Sequence, residues 1–272
     1  MELTNSINTS VSIIIVNYRT PDLTQACIDS IYTHTKGVDF EIIVVDNCSM
    51  DESVNRLSKD HRIKLIVSPR NGGFGYGNNL GMKVARGKYF FLLNSDTLLV
   101  NNAIKEFYDY AESHEPKTLY GCYLIGDDGT YRGSFHYFPA LTIGAFFRRL
   151  FRKQNYTPDY TDKEVECICG ADMFIPRTAI EECGGFDENI FLYGEEGELQ
   201  LRMAKAGYKR ILLSSPKIIH LEGKSSSVNQ KKRQIQEQSH FYVLKKYMTP
   251  CTYILTRFYY ILLSLKRCCF LS

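Results

Sequence analysis

At 272 residues, with 44% hydrophobic and 23% charged side chains, the chain can hold one large α/β domain plus an appendage and is not of disordered composition. Its formal net charge of +3 is too small to make nucleic acid a general partner. Nine cysteines are an odd count without framework spacing, and residues 1–10 are polar with no apolar signal core, so a reduced, cytoplasmic setting is expected.

Residues 11–16, Val-Ser-Ile-Ile-Ile-Val, are a β-branched run that reads as a buried strand ending at Asn17 and Tyr18. Thr20 and Pro21 open a helix as N-cap and first helical residue, and Leu23, Cys27, Ile28 and Ile31 recur at helical spacing until Gly37. Residues 41–45 form a second strand closing on Asp46 and Asn47, and Ser49 with Glu52 forms a capping box for the next helix. Residues 63–67 are a third strand. Such strand–helix alternation predicts parallel pairing with right-handed crossovers. Residues 71–79, Asn-Gly-Gly-Phe-Gly-Tyr-Gly-Asn-Asn, read as a glycine-rich loop whose amides can approach a ligand, with a helix beginning at Asn78. Leu80 stands where a dinucleotide fingerprint needs its third glycine, and no Walker A lysine pattern appears.

The apolar residues 89–93 read as a strand buried on both faces that runs straight into Asn94, Ser95 and Asp96. In an open α/β sheet, ligands collect beyond the carboxyl ends of the strands. A carboxylate there costs several kcal/mol to desolvate unless it is paired, and a divalent cation carrying phosphate oxygens is its simplest partner. The plainer role is a strand-ending residue that caps the next helix.

Beyond it, a helix is expected over 101–114, with strands at 120–124 and 130–135 flanking a turn at Asp127, Asp128 and Gly129. Residues 141–153 are a basic, aromatic-rich amphipathic segment. A strand over 169–175 and a helix over 177–183, stopped by Gly184 and Gly185, follow. Glu195 and Glu196 then stand at a helix start, where the positive end of the helix favours carboxylates, and Leu199, Met203 and Ala206 form its apolar face. Residues 211–214 are a further strand, and His220 follows Ile219.

Residues 11–18, 44–51, 71–79, 92–97, 185–187 and 193–199, with Arg202 and His220, together resemble glycosyltransferase family 2, the inverting transferases of the GT-A fold, and among them the bacterial rhamnosyltransferase-like members that build cell-surface polysaccharide such as O-antigen. The resemblance covers residues 11–227. It implies an α/β GT-A domain with a mainly parallel central sheet over residues 1–227 and a helical extension over 228–272. It further implies that Asn17 and Tyr18 lie by the nucleotide base and that Asp46 accepts a hydrogen bond from the base. Asn71, Asn79 and Ser95 would line the nucleotide-sugar pocket. Asp96 would hold a divalent cation, Mg2+ or Mn2+, that bridges the diphosphate, with His220 as second ligand. Glu196 would be the general base, with Glu195 sharing or replacing it, and Arg202 would pair with a carboxylate.

The implied reaction moves a sugar, rhamnose or another deoxyhexose first, from a dTDP- or UDP-linked donor to a hydroxyl of a lipid-linked oligosaccharide by metal-assisted single displacement. Two departures stand out. Asn94-Ser95-Asp96 keeps one carboxylate of the usual Asp-x-Asp, and Glu195-Glu196-Gly197-Glu198 replaces the commoner Glu-Asp-x-Asp. A sugar nucleotidyltransferase is the rival enzyme, although its glycines belong at the first strand, where this chain has Asn17, Tyr18 and Arg19. A non-catalytic sugar-nucleotide binder of the same fold is the other.

From Gln230 onward a helical extension is expected, broken at Pro250. Residues 253–265 are apolar but interrupted by Arg257 and followed by Lys266 and Arg267, too short and too charged to span a bilayer. An in-plane helix is expected, with the stripe Arg257, Tyr260, Ser264 and Arg267 meeting anionic lipid heads on the inner face of a bacterial plasma membrane. The alternative is a helix docked on the domain or on a partner subunit.

Overall fold

The computed structural model describes residues 9–142, 144–145, 156–221 and 230–269. β1 (Thr9–Asn17) pairs in parallel with β2 (Phe40–Asp46) on one side and with β4 (Gly87–Asn94) on the other, and β3 (Ile63–Val67) extends the sheet beyond β2. Crossovers α1 (Pro21–His34), α2 (Ser53–Leu57) and α3 (Phe74–Val84) join them, as the βαβ pattern predicts. Side chains alternate between two cores. Ile13, Ile15, Phe91 and Leu93 pack on one face with α1 and α4 (Ala103–Ser113), and Ile14, Phe90 and Leu92 on the other.

The second half of the sheet is mixed. β10 (Asp172–Pro176) lies antiparallel between β4 and β6 (Thr118–Ile125), and β11 (Lys209–His220) runs parallel to β6. β5 (Thr97–Leu99) pairs antiparallel with the far end of β11 and closes the order β3-β2-β1-β4-β10-β6-β11-β5. The short β7 (Phe135–His136) and β9 (Cys167–Ile168) pair with each other, and β8 (Lys163–Glu164) adds to β11. α5 (Arg177–Cys183) and α6 (Glu195–Lys205) complete the domain. Residues 130–135 do not form the expected hairpin arm. Only Tyr131 bridges to Ile125, because Phe135 and His136 pair instead with β9.

Two local expectations are also replaced. No capping box forms at Ser49, whose hydroxyl bonds the Asp46 carboxylate, and α2 starts at Ser53. The glycine-rich stretch is mostly helix. α3 begins at Phe74, so Gly75, Gly77 and Gly81 are helical contact positions rather than loop residues. A Cβ on Gly81 would lie 2.5 Å from Ile14 Cγ2 and one on Gly77 2.8 Å from Val16 Cγ1, so the absent side chains are what lets α3 rest directly on β1.

The extension is two helices, α7 (Gln230–Tyr247) and α8 (Pro250–Cys269), with Pro250 the first residue of the second. Of the stripe expected to meet lipid, Arg257 and Tyr260 are turned inward, and the side chains of Ser264 and Arg267 lie outside the described residues. The Arg257 guanidinium lies 4.0 Å from the Phe241 ring centroid, and Tyr260 packs edge-on against Phe241 at 5.4 Å. Ile254, Leu255 and Phe258 are left outside at 65%, 60% and 60% exposure. Among the described residues no helix is long and apolar enough to cross a membrane. The basic segment 141–153 lies largely outside the described residues.

Because α3 touches β1 through missing side chains, Gly81→Val should destabilise the chain by about 1–3 kcal/mol through overpacking. Thermal unfolding monitored by circular dichroism checks it; an unchanged midpoint would show that α3 can lift off the sheet at no cost.

Candidate active site

The carboxyl ends of β1, β2 and β4 are in register, Asn17 opposite Asp46 and Val16 opposite Asn94, so their terminal polar residues share one edge of the sheet. Beyond that edge lies a cavity of about 370 Å³ lined by Tyr18, Thr20, Asn47, Asn71, Asp96 and Tyr193, among others. Tyr18 stands on the rim, 41% exposed. Thr20 does not cap α1 with its side chain; its hydroxyl lies 3.3 Å from that of Ser95, which also lines the cavity. Asn71 Oδ1 accepts from Asn47 Nδ2 and from the Gly73 amide, both at 3.1 Å, and so is held in place by two donors.

Three of the sequence-predicted residues sit elsewhere. Asn17 and Asp46 are buried beneath the cavity. Asn17 Nδ2 donates to Asp46 Oδ1 at 2.8 Å, and Ser49 donates to the same carboxylate through its hydroxyl and its amide. They brace the loops that follow β1 and β2 rather than line the cavity. Asn79 is turned to the opposite side of α3. Its amide accepts from the Phe186 N–H at 2.9 Å and donates to the Phe186 carbonyl and to Glu188, both at 3.0 Å. Conversely, Asn47 was passed over in the sequence, where it reads as the residue after a strand-ending acid.

Asp96 and His220 lie side by side. The pairing of β5 with β11 sets His220 opposite Thr97, and the Leu221 amide donates to the Asp96 carbonyl at 2.9 Å. His220 Nε2 comes within 3.4 Å of Asp96 Oδ1 and 3.5 Å of Asn94 Nδ2. No group of three or more metal-type side chains occurs among the described residues. A carboxylate on the cavity wall with an imidazole directly behind it nevertheless fits a Mg2+ or Mn2+ ion that takes its remaining oxygens from a diphosphate and water.

The three acids of α6 have different surroundings. Glu195 is 3% exposed, and its Oε2 has no hydrogen-bond partner. Burial, reinforced by the neighbouring Glu196 charge, pushes its carboxyl well above the ordinary carboxylate range. Glu196 faces outward into a second cavity of about 660 Å³, with the Gly194 amide donating to Oε2 at 3.2 Å and His136 Nε2 lying 3.7 Å from Oε1. Glu198 is fully buried. Burial alone would raise it, but hydrogen bonds from Arg202, Lys246 and Tyr247 hold it below its ordinary range. Arg202 thus pairs with a carboxylate, and it also donates to the Gly185 carbonyl at 2.6 Å.

Through Lys246 and Tyr247, Glu198 ties α7 to the domain, as Asp187 does through Tyr242 and Lys246. α7 therefore walls the second cavity with Arg233, Gln236, Glu237, His240 and Phe241, opposite His136 and Glu196. Nothing in the sequence marked the α7 residues or His136, because a cavity wall built from distant segments has no local pattern. Tyr193 lines both cavities.

The chain belongs to glycosyl transferase family 2, whose model matches residues 12–184, more than half its length. Over 227 residues it is 28% identical to the O-antigen biosynthesis protein RfbC of Myxococcus xanthus, covering 79% of this chain and 17% of that one. It is 30% identical over 141 residues to the Escherichia coli UDP-Glc:alpha-D-GlcNAc-diphosphoundecaprenol beta-1,3-glucosyltransferase WfaP, covering 51% of this chain and 55% of that one. The chain thus spans only part of the length of these relatives. The crystal structure of GalNAc-T7 with UDP, GalNAc and Mn2+ superposes with a TM-score of 0.62 at 14% identity, over 84% of this chain and 48% of that one. The fold is GT-A.

One buried acid remains. Asp172, set in the apolar strand β10 with no exposure, accepts from the Cys122 amide at 2.6 Å, and burial raises its carboxyl to about 7. Since the folded value lies above the unfolded one, the stability it contributes is complete below about pH 4 and is lost as pH rises through about 7. Asp172→Asn should remove a decline on the order of 3–4 kcal/mol from the stability profile between those limits. Urea unfolding at a series of pH values measures it; parallel profiles for the two proteins would show Asp172 ionised in the fold.

Proposed function

We propose that the chain transfers a sugar from a nucleoside-diphosphate donor to a hydroxyl of a glycan acceptor, with inversion, in the assembly of a bacterial surface polysaccharide. The observation that carries this reading is the meeting of two cavities at Tyr193, one holding Asp96 beside His220 and the other holding Glu196. That arrangement suits a reaction in which a leaving diphosphate and an incoming alcohol approach one carbon from opposite sides.

In this reading Tyr18 offers its ring to the base, while Asn71 and the cavity floor receive the rest of the donor. Asp96 and His220 would hold a divalent cation, which when bound supplies Lewis-acid stabilisation of the charge left on the diphosphate. Glu196, aimed by the Gly194 amide, takes the proton of the acceptor hydroxyl as its oxygen bonds to the anomeric carbon. The bond from that carbon to the diphosphate oxygen breaks with its electron pair, so no covalent enzyme intermediate forms. Glu196, which faces the second cavity, is the base of the pair, while Glu195 is buried behind it.

The donor sugar is proposed as rhamnose or another deoxyhexose on dTDP or UDP. A lipid-linked acceptor is supported by the relative named for a diphosphoundecaprenol-linked substrate. It is also supported by α8, whose exposed Ile254, Leu255 and Phe258 adjoin Tyr260, a residue of the acceptor cavity wall. The chain would then work as a peripheral protein on the inner face of the plasma membrane, its apolar helix face in the headgroup layer. Residues 228–272 form an extension that completes the acceptor site of the 1–227 domain.

Glu196→Gln should lower sugar transfer by about 10²–10⁴-fold, while the thermal shift given by UDP or dTDP with Mn2+ persists. Asp96→Ala should instead lose the Mn2+-dependent part of that shift. A screen of nucleotide sugars against membrane-extracted acceptors supplies the transfer assay, and full transfer by the Glu196 variant would remove the assigned base. For the membrane contact, Leu255→Glu with Phe258→Glu should abolish flotation with phosphatidylglycerol vesicles and spare nucleotide binding. Flotation equal to that of the wild type would reject α8 as the contact.

A further inference from the structure

Tyr193 has a backbone φ of +69°, in the left-handed region that bulky side chains avoid, and Gly194 follows at +96°. The turn is pinned on both sides. The Phe191 carbonyl accepts from the Phe74 amide at 3.3 Å and occupies the space a Cβ on Gly73 would need, 1.7 Å away. The Leu192 carbonyl accepts from the Ser239 hydroxyl of α7 at 2.8 Å. The Gly194 amide holds Glu196, and Lys232 Nζ lies 5.4 Å from the Tyr193 ring centroid. An unfavourable backbone held by bonds to the donor-side helix, to α7 and to the assigned base calls for a role for the side chain it aims. Tyr193 is the residue that lines both cavities.

We propose that Tyr193 is the partition between donor and acceptor cavities, and that its ring keeps water from the anomeric carbon until an acceptor hydroxyl is in place. The proposal rests on the sugar-transfer reading. Without an acceptor, the competing step is hydrolysis. The oxygen of water bonds to the anomeric carbon, the bond to the diphosphate oxygen breaks with its electron pair, and the proton of water passes to Glu196. Excluding water from a site where a reactive donor waits is a recognised demand on transferases. A rigid aromatic wall meets it, and it also offers a flat apolar surface to a sugar ring.

The test uses the full chain and whichever of UDP-glucose, UDP-galactose or dTDP-rhamnose it turns over, with nucleotide release measured with and without acceptor. Tyr193→Phe keeps the ring and should leave the ratio of hydrolysis to transfer within about twofold of the wild type. Tyr193→Gly removes the ring and suits the left-handed backbone. It should raise that ratio about tenfold without lowering the thermal midpoint. A folded Tyr193→Gly protein with an unchanged ratio overturns the partition, and so does a Tyr193→Phe protein that behaves like it. A Tyr193→Gly protein that unfolds earlier than the wild type also counts against it, since the ring would then be a structural wedge. Absence of nucleotide release by the wild type from every donor overturns the sugar-transfer reading, and the partition with it.

Discussion

The antiparallel pairing of β5 with the end of β11 is the constraint on which the site depends. It carries a histidine from residue 220 to within 3.4 Å of a carboxylate at residue 96, and it fixes both backbones through the bond from the Leu221 amide to the Asp96 carbonyl. Asp96 and His220 each lie at the end of an apolar strand, where an isolated polar group would be costly. Paired, they place a carboxylate on the cavity wall with an imidazole beside it. Remove the strand pair, and the two separate into a turn acid and a strand-end imidazole with no shared chemistry.

The same physics sorts the acids at the start of α6. Glu195, Glu196 and Glu198 are one residue type within four positions, yet burial raises the carboxyl of the first and leaves its Oε2 without a hydrogen-bond partner, the second faces a cavity, and a lysine, an arginine and a tyrosine turn the third into a bolt for α7. The bolt matters because α7 forms the wall of the second cavity opposite Glu196. The helical extension is therefore tied into the domain by bonds from Lys246 and Tyr247 to the buried Glu198, and from Lys246 and Tyr242 to Asp187, rather than tethered beside it. Glu198 itself is fully buried, so leaving its carboxylate without these donors would be costly, and that fixes where the wall stands.

The glycine-rich stretch shows how one composition serves two ends. Its first part, Asn71 to Gly73, lies at the cavity that holds Asp96, with Asn71 held by Asn47 and by the Gly73 amide. Its second part is helix, where Gly75, Gly77 and Gly81 let α3 settle against Phe186, Val16 and Ile14. Asn78 and Asn79, in the same motif, bond within the helix and to the Phe186 segment. These two asparagines stabilise the architecture behind the cavity, much as Asn17 and Asp46 do beneath it.

By itself the sequence determined the strand–helix alternation, the parallel half of the sheet, the helix start at Glu195 and the family. Those follow from hydrophobic period, from strand ends marked by Asn and Asp, and from motifs in a set order, all of which are local signals. The tertiary structure alone decided which polar residues face the cavities and which brace them, as with Asn47 against Asn79 or Glu196 against Glu195. It also decided that Arg257 turns inward onto Phe241 while Ile254, Leu255 and Phe258 face outward. The physical reason is common to these cases. Whether a side chain lines a site depends on which distant segment packs over it, and neither spacing nor composition within one segment carries that information.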